Sequence, residues 1–200
     1  IKVNSTPAGL IVAPTRELAL QVFEEIIWLY KKTNLIAVTS IGGMDINKER
    51  KKISKKFNLL IGTPGRINDH LRKKTLNLSQ LSFLVLDEAD EMLDLGFRED
   101  LDAIIQSSPN NTRKLLFSAT LPKKIILLAN KYLANPKKIE VSNQNIPHSD
   151  IDYETFFINK KDTENAIFNL LRYYDNKNIL IFCSTRASVT HVHTRLLNRG

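Results

Sequence analysis

The chain has 200 residues, 42% of them hydrophobic and 25% charged, with a formal net charge of +8. That length holds one large domain or two small ones, and the composition is globular, which excludes disordered and collagen-like classes. Its apolar runs fall far short of the roughly 20 residues that span a bilayer. A single cysteine, Cys183, excludes an internal disulfide framework and fits a reducing compartment, and one Cys with four His residues shows no cluster of metal-ligand type.

Hydrophobic bursts recur along the chain with helical stretches between them. Residues 10–14 (LIVAP) predict a buried strand. A helix follows from Arg16 through Lys32, with Leu18, Val22, Phe23, Ile26, Leu29 and Tyr30 at helical spacing. Residues 35–40 (LIAVTS) predict a strand, 44–56 a polar helix, and 58–63 (NLLIGT) another strand. Pro64 suits the first turn of a helix over 64–74. Residues 81–90 (LSFLVLDEAD) and 113–120 (RKLLFSAT) carry further strands, Pro122 opens a helix through Leu133, and 137–141 (KKIEV) predict a last short strand. Short, continuously apolar strands separated by helices indicate an α/β protein with a parallel sheet covered on both faces. Ligands of such sheets bind outside the carboxyl ends of the strands. Pro14, Gly62, Asp87 and Ser118 all fall at that end.

Residues 142–150 (SNQNIPHSD) are polar, contain Pro147 and lack periodicity, as a linker does. After them, 152–159 (strand), 162–174 (helix), 178–185 (strand) and 186–200 (helix) restart the alternation. About 50 residues make only two βα units, too few for an independent core. The expected organisation is a first lobe over 1–141, a linker over 142–152 and the start of a second lobe over 153–200. The first residue is Ile1 rather than Met, so the chain is expected to be a piece of a longer protein.

Charge is unevenly spread. Residues 31–74 hold 12 Lys/Arg against 3 Asp/Glu, whereas residues 87–102 hold 8 Asp/Glu against Arg98 alone. A basic half suits a polyanion and a compact acidic patch suits a cation, although both are also compatible with solvated faces. The stretch FLVLDEADEML places Asp87, Glu88 and Asp90 at the end of a buried strand, where like charges repel. Phosphoryl-transfer sites use such an arrangement: the Asp holds Mg²⁺, usually through water, and the Glu orients an attacking water. A plain helix N-terminus also favours Asp and Glu, so this pair alone leaves both readings open.

The company of that pair narrows the choice. PTRELA (14–19), GG (42–43), TPGR (63–66), DEAD (87–90) and SAT (118–120) occur in this order, and LIFCSTR (180–186) follows. The set resembles the DEAD-box family of ATP-dependent RNA helicases over nearly the whole chain. The resemblance implies a RecA-like, doubly wound parallel sheet, here an incomplete first lobe, plus the start of a second RecA-like lobe. It implies that Asp87 positions Mg²⁺ through water and Glu88 the attacking water. Asp90 and Ser118 would link two motifs by a hydrogen bond, with Thr120 nearby, coupling nucleotide state to RNA grip. Pro14, Thr15, Arg16, Gly42, Gly43, Thr63, Gly65 and Arg66 would hold the RNA backbone independently of sequence.

These roles make physical sense. Glycines at 42, 43 and 65 let the backbone approach a ligand and offer N–H groups to phosphates. Thr15, Arg16, Thr63 and Arg66 supply hydroxyl and guanidinium donors for phosphate oxygens. The helix beginning near Pro64 points its N-terminus at the same edge. Plainer readings stand beside them: TPGR as a turn into a helix, PTRELA as a helix start, and Ser118 and Thr120 as caps of the Pro122 helix. His191 and His193, two apart on a helix, do not share a face and are assigned no chemistry, and Cys183 is expected as inert packing in a buried strand.

None of the seven glycines is followed by lysine, so the phosphate-cradling G-x-x-x-x-G-K-[ST] sequence is absent from these residues. The resemblance places it upstream of PTRELA, together with a strand expected to be central, and places further arginine motifs after Gly200. The parent is therefore expected to be an RNA-stimulated ATPase and helicase using ATP and Mg²⁺, with no membrane segment, cytoplasmic and bacterial. The 200 residues alone are expected to be inactive and to give poorly dispersed amide spectra. An RNA-gripping module without catalysis and a DNA translocase are the alternatives, and the intact Asp87, Glu88 and Asp90 favour the enzyme.

Overall fold

The computed structural model of the chain describes residues 6–133, 135–140, 151–174 and 178–198. Strands β1 (Gly9–Val12), β2 (Ala37–Ser40), β3 (Leu59–Gly62), β4 (Phe83–Leu86) and β5 (Arg113–Leu116) form one sheet in the order β2-β3-β1-β4-β5, with every pair parallel. The register aligns all their last residues: Val12 lies opposite both Gly62 and Leu86, Ser40 opposite Gly62, and Leu86 opposite Leu116. The loops that follow therefore leave from one straight edge. The ladder is unbroken from β2 to β5. Any further strand must add at an outer edge.

Side chains alternate across the sheet with period two. Leu10, Val12, Val38, Leu60, Leu84 and Leu86 enter one core, and Ile11, Ala37, Leu59, Ile61 and Val85 enter another. The first is capped by α2 (Ile46–Ile53), α3 (Pro64–Arg72), α4 (Ala89–Asp94), α5 (Arg98–Gln106) and α6 (Lys123–Tyr132), through Ile53, Ile67, Met92, Leu101, Ile104, Ile125 and Leu128. The second is capped by α1 (Arg16–Leu29), through Leu18, Ala19, Val22, Phe23 and Ile26. Chirality explains the division. The β1-to-β2 connection runs across the sheet against the direction of the others, and right-handed crossovers then put α1 on the opposite face. Each fully buried Leu or Ile contributes about 1.5–3 kcal/mol over its exposed state. Beyond the reach of α1, Phe83, Leu115 and Phe117 stay partly open on that face. The Phe83 ring lies across Gly9, where an added Cβ would sit 2.1 Å from it.

The segment between β4 and β5, for which the sequence reading proposed no specific helix, folds as α4 and α5 joined by a turn at Gly96, whose φ is +84°. Residues 137–140 form no strand, and Val141 and the linker over 142–150 lie outside the described residues.

The chain divides into two compact units, Ile1–Ile139 and Glu140–Gly200. In the second, α7 (Thr163–Tyr173) and α8 (Arg186–Leu197) are joined by Glu164, which accepts from His191 Nε2 at 2.6 Å and Arg195 Nε at 2.7 Å. The strands expected over 152–159 and 178–185 are absent: those described residues carry no strand, and Phe157 and Phe182 are 96% and 88% exposed. A strand needs a neighbouring ladder, and neither segment pairs with one among the described residues. Cys183 is accordingly half-buried and outside any strand, not the packed strand residue expected.

Candidate functional site

Loops at the aligned edge carry the motif residues of the first unit. After β1, Ala13 donates its amide to Gly62 O at 3.0 Å, binding this loop to β3. Pro14 is buried and Thr15 caps α1, its Oγ1 accepting from Leu18 N at 3.2 Å. That bond uses the hydroxyl only as an acceptor, so its proton is available to a ligand. Arg16 is exposed and its guanidinium lies over the Gly42–Gly43 turn: a Cβ added to Gly43 would sit 2.2 Å from its Nη1. Gly43 has φ +79°, a left-handed conformation that glycine adopts without strain. Gly42 donates its amide to Thr63 Oγ1 at 3.2 Å. Arg16, the glycine turn and Thr63 thus form one cluster from three loops.

Two expected phosphate donors are turned inward. Thr63 is buried and its hydroxyl holds the Gly42 amide. The Arg66 guanidinium, only 11% exposed, donates to Met44 O through Nη1 and Nη2, both at 3.0 Å, and pairs with Glu49 Oε2 at 3.2 Å. The cause is Glu49 itself, a buried carboxylate that needs a counter-charge. Gly65 has room on the protein side, an added Cβ meeting Asp100 and Phe97 at ordinary distances of 3.9 and 4.0 Å.

The acidic corner follows β4. Asp87 donates its amide to Val12 O at 2.9 Å, which ties it to the end of β1. Its Oδ1 accepts from Glu88 N at 3.1 Å. Glu88 caps α4 in the left-handed region, φ 47° and ψ 54°, a conformation costing a non-glycine residue about 1–3 kcal/mol. Such strain concentrates where surrounding contacts impose it, and here Ala89 N is held by Phe117 O at 3.0 Å on one side and Met92 N bonds Glu88 O at 3.1 Å on the other. Neither Asp87 nor Glu88 has a basic partner among the described residues.

Asp90 is bridged to the loop after β5. Thr120 donates its amide (3.0 Å) and its hydroxyl (2.6 Å) to Asp90 Oδ2, while Ser118 Oγ donates to Thr120 O at 2.6 Å. Partial burial pushes the Asp90 carboxyl up, but hydrogen bonding from Thr120 and the nearby Ser118 hydroxyl outweighs it and holds the group below its ordinary range. Thr120 does not cap α6, whose first turn has no side-chain cap. An ion pair between Lys124 of α6 and Asp94 of α4 adds a second link between these segments.

The sequence model of the DEAD/DEAH box helicase family matches residues 2–128. The chain belongs to this family. It is 38% identical over 200 residues to the DEAD-box ATP-dependent RNA helicase RhpA of Helicobacter pylori (strain B128), covering 100% of this chain and 41% of that protein. It is 36% identical over 197 residues to the ATP-dependent RNA helicase DbpA of Bacillus subtilis (strain 168), covering 98% and 41%. A solved DEAD box protein from the hyperthermophile Methanococcus jannaschii superposes with a TM-score of 0.68 at 36% identity, over 100% of this chain and 53% of that one. The chain thus spans less than half the length of these two curated relatives. The fold is the family's RecA-like α/β sheet.

In this DEAD-box chain the oxygen donors of the acidic corner fit Mg²⁺, which binds through one or two carboxylates and keeps its waters and substrate phosphates. No group of three or more His, Cys, Asp or Glu poised for a metal occurs among the described residues, so a closed protein cage is not the arrangement here. Sequence reasoning missed Glu49 and His70, both buried, because a lone acid among the lysines of NKERKK looks solvated. The left-handed backbone of Glu88 also left no sequence signal, since nothing in its residue type asks for it.

Proposed function

We propose that this chain works within an ATP-dependent RNA helicase, in which RNA-stimulated ATP hydrolysis is coupled to local duplex unwinding or remodelling of RNA–protein complexes. One observation carries the reading. The acidic corner after β4 and the cationic, glycine-rich cluster around Arg16 leave the same sheet edge from hydrogen-bonded strands, β4 beside β1, joined by the Asp87 amide on Val12 O. A nucleotide tail and a ribose-phosphate chain could then be held one strand apart.

In this reading Asp87 holds Mg²⁺ through water, and the metal supplies positive charge against the nucleotide phosphates. Glu88 orients the attacking water, with its exposed carboxylate set by the strained turn. Arg16, the Thr15 hydroxyl and the glycine turn grip backbone phosphates without reading bases, and the N-terminus of α3 at Gly65 adds unpaired amides. Thr120 and Ser118 relay the state of Asp90 into α6. The working organisation is a lobe over 1–141, a linker over 142–152 and a second lobe from 153, in a bacterial cytoplasm. No described helix is long and apolar enough to cross a membrane.

The test is ATP turnover by the full-length protein with Mg²⁺, with and without single-stranded RNA, using the Glu88→Gln variant as the blank. RNA should raise turnover severalfold. Turnover no faster than the blank in the presence of RNA refutes the reading.

A further inference from the structure

The Gly42–Gly43 turn is held at both ends by a buried polar network that joins the motif residue Arg66 to Glu49 and His70, which lie outside the motifs. Glu49 of α2 is 6% exposed, and its Oε1 accepts from the amide of Ile41, the residue before the glycines, at 3.0 Å. Its Oε2 accepts from Arg66 Nη1 at 3.2 Å and from His70 Nε2 at 3.1 Å. Arg66 in turn grips the carbonyl of Met44, the residue after the glycines, with both terminal nitrogens. His70, on the same helix as Arg66, is fully buried, and its Nδ1 lies 2.8 Å from Thr75 Oγ1.

Proton bookkeeping fixes the role of His70. An ionised carboxylate only accepts, so Nε2 must carry the proton toward Glu49. Thr75 Oγ1 also lies 3.1 Å from His70 O, so its single proton serves either that carbonyl or Nδ1. Both arrangements keep the Nε2–H donor on Glu49. The carboxylate is thereby locked between two side-chain donors and a backbone amide, and the turn it anchors leaves the Gly43 amide without a partner among the described residues.

We propose that Glu49 is a positioning residue for the nucleic-acid grip: through Ile41 directly, and through Arg66 onto Met44, it pins both ends of the glycine turn under the Arg16 guanidinium, with His70 holding the carboxylate in place. This rests on the reading of that edge as an RNA grip. Arg66 is then a strut for the turn, and Arg16 with the free Gly43 amide faces the phosphates.

The experiment measures binding of a fluorescein-labelled single-stranded oligo-U RNA to the full-length protein, and the RNA dependence of its ATP turnover. Glu49→Gln keeps one acceptor oxygen where two are needed and should raise the RNA Kd about threefold; Glu49→Ala should raise it about tenfold. Arg66→Lys keeps the charge but loses the fork on Met44 O, and should match Glu49→Ala. The double variant should be no worse than either single one, and the RNA concentration for half-maximal turnover should rise with kcat unchanged. Asn68→Ala, which breaks the bond of α3 to Asp100, should lower the melting temperature and leave the RNA Kd unchanged. Wild-type RNA affinity in Glu49→Ala, or additive losses in the double variant, overturns the proposal. If Glu49→Ala does not fold, Glu49→Gln and Arg66→Lys decide by the same half-saturation shift. Arg16→Ala separates the two levels. Loss of RNA binding there, with none in the Glu49 variants, sinks only the positioning role, whereas wild-type affinity in Arg16→Ala sinks the reading of the edge.

Discussion

Thr120 places two donors, its amide at 3.0 Å and its hydroxyl at 2.6 Å, on a single oxygen of Asp90, 30 residues earlier in the chain. The contact joins the first turn of α4 to the loop leading into α6. Thr120→Val removes the hydroxyl and keeps the amide and the shape. The full-length variant should unwind a short duplex about tenfold more slowly, as expected for losing a hydrogen bond to a charged group, while its ATP turnover falls far less. The Asp90 carboxyl should move up toward its ordinary range, which carboxyl ¹³C chemical shifts across a pH titration would report. Parallel losses of unwinding and turnover would show that this bridge does not couple them.

Glu88 occupies the left-handed region, where glycine is at ease. Glu88→Gly should therefore raise the melting temperature, by relief of about 1 kcal/mol of backbone strain, while abolishing turnover. Glu88→Gln keeps the strain, so its melting temperature should match the wild type, and its turnover should fall by about 100-fold or more. A Glu88→Gly protein that melts below Glu88→Gln would show that the side chain stabilises the turn.

The glycines at the end of β3 and in the first turn of α3 separate two reasons for the same residue. A Cβ at Gly62 would lie 2.1 Å from Ser40 O, across a backbone pairing that cannot yield, so Gly62→Ala should destabilise the first unit by about 3 kcal/mol or more in chemical denaturation. Gly65 has open room on the protein side. Gly65→Ala should melt like the wild type and bind RNA less tightly, because only a ligand approaching the backbone would meet the new methyl. Equal RNA affinity in Gly65→Ala would remove that position from the grip.

Acid should loosen the glycine turn. Burial pushes the Glu49 carboxyl up, but hydrogen bonds from His70 and Ile41 and the charge of Arg66 outweigh it and hold the group below its ordinary value of 4.5. Between the folded value and 4.5 the unfolded chain binds more protons, so stability rises with pH there. The contribution is fully present above pH 4.5 and is lost as pH falls through the lower, folded value. Melting temperatures measured below pH 4.5 should fall steeply in the wild type and less steeply in Glu49→Gln.

These 200 residues contain no glycine followed by lysine, and hence no phosphate-cradling loop of that kind. Tested alone with Mg²⁺ and RNA, they should turn over ATP no faster than their own Glu88→Gln variant. Turnover above that blank would mean that other residues grip the triphosphate.

Much of this protein was legible in its residues. Apolar runs such as LIVA and FLVL, short and separated by helical stretches, read as strands of a parallel sheet, and a strand of fixed direction dictates which of its ends carries the following loop. That is why PTRELA, TPGR, DEAD and SAT share one edge. Local patterning could not decide what lay across that edge. Which donors of the loop after β5 reach Asp90 depends on how that loop bends over the first turn of α4, 30 residues earlier, and whether Arg66 faces solvent depends on Glu49 being buried beside it. The apolar segments of 152–159 and 178–185 make the same point from the other side. Their side chains favour strands, but a strand exists only through the hydrogen bonds of a neighbour, and that is a property of the assembled chain. Sequence periodicity sets the hydrophobic faces; the partners of buried polar groups are chosen only when those faces close, because hydrogen bonds are short-ranged and distant segments meet only in the fold.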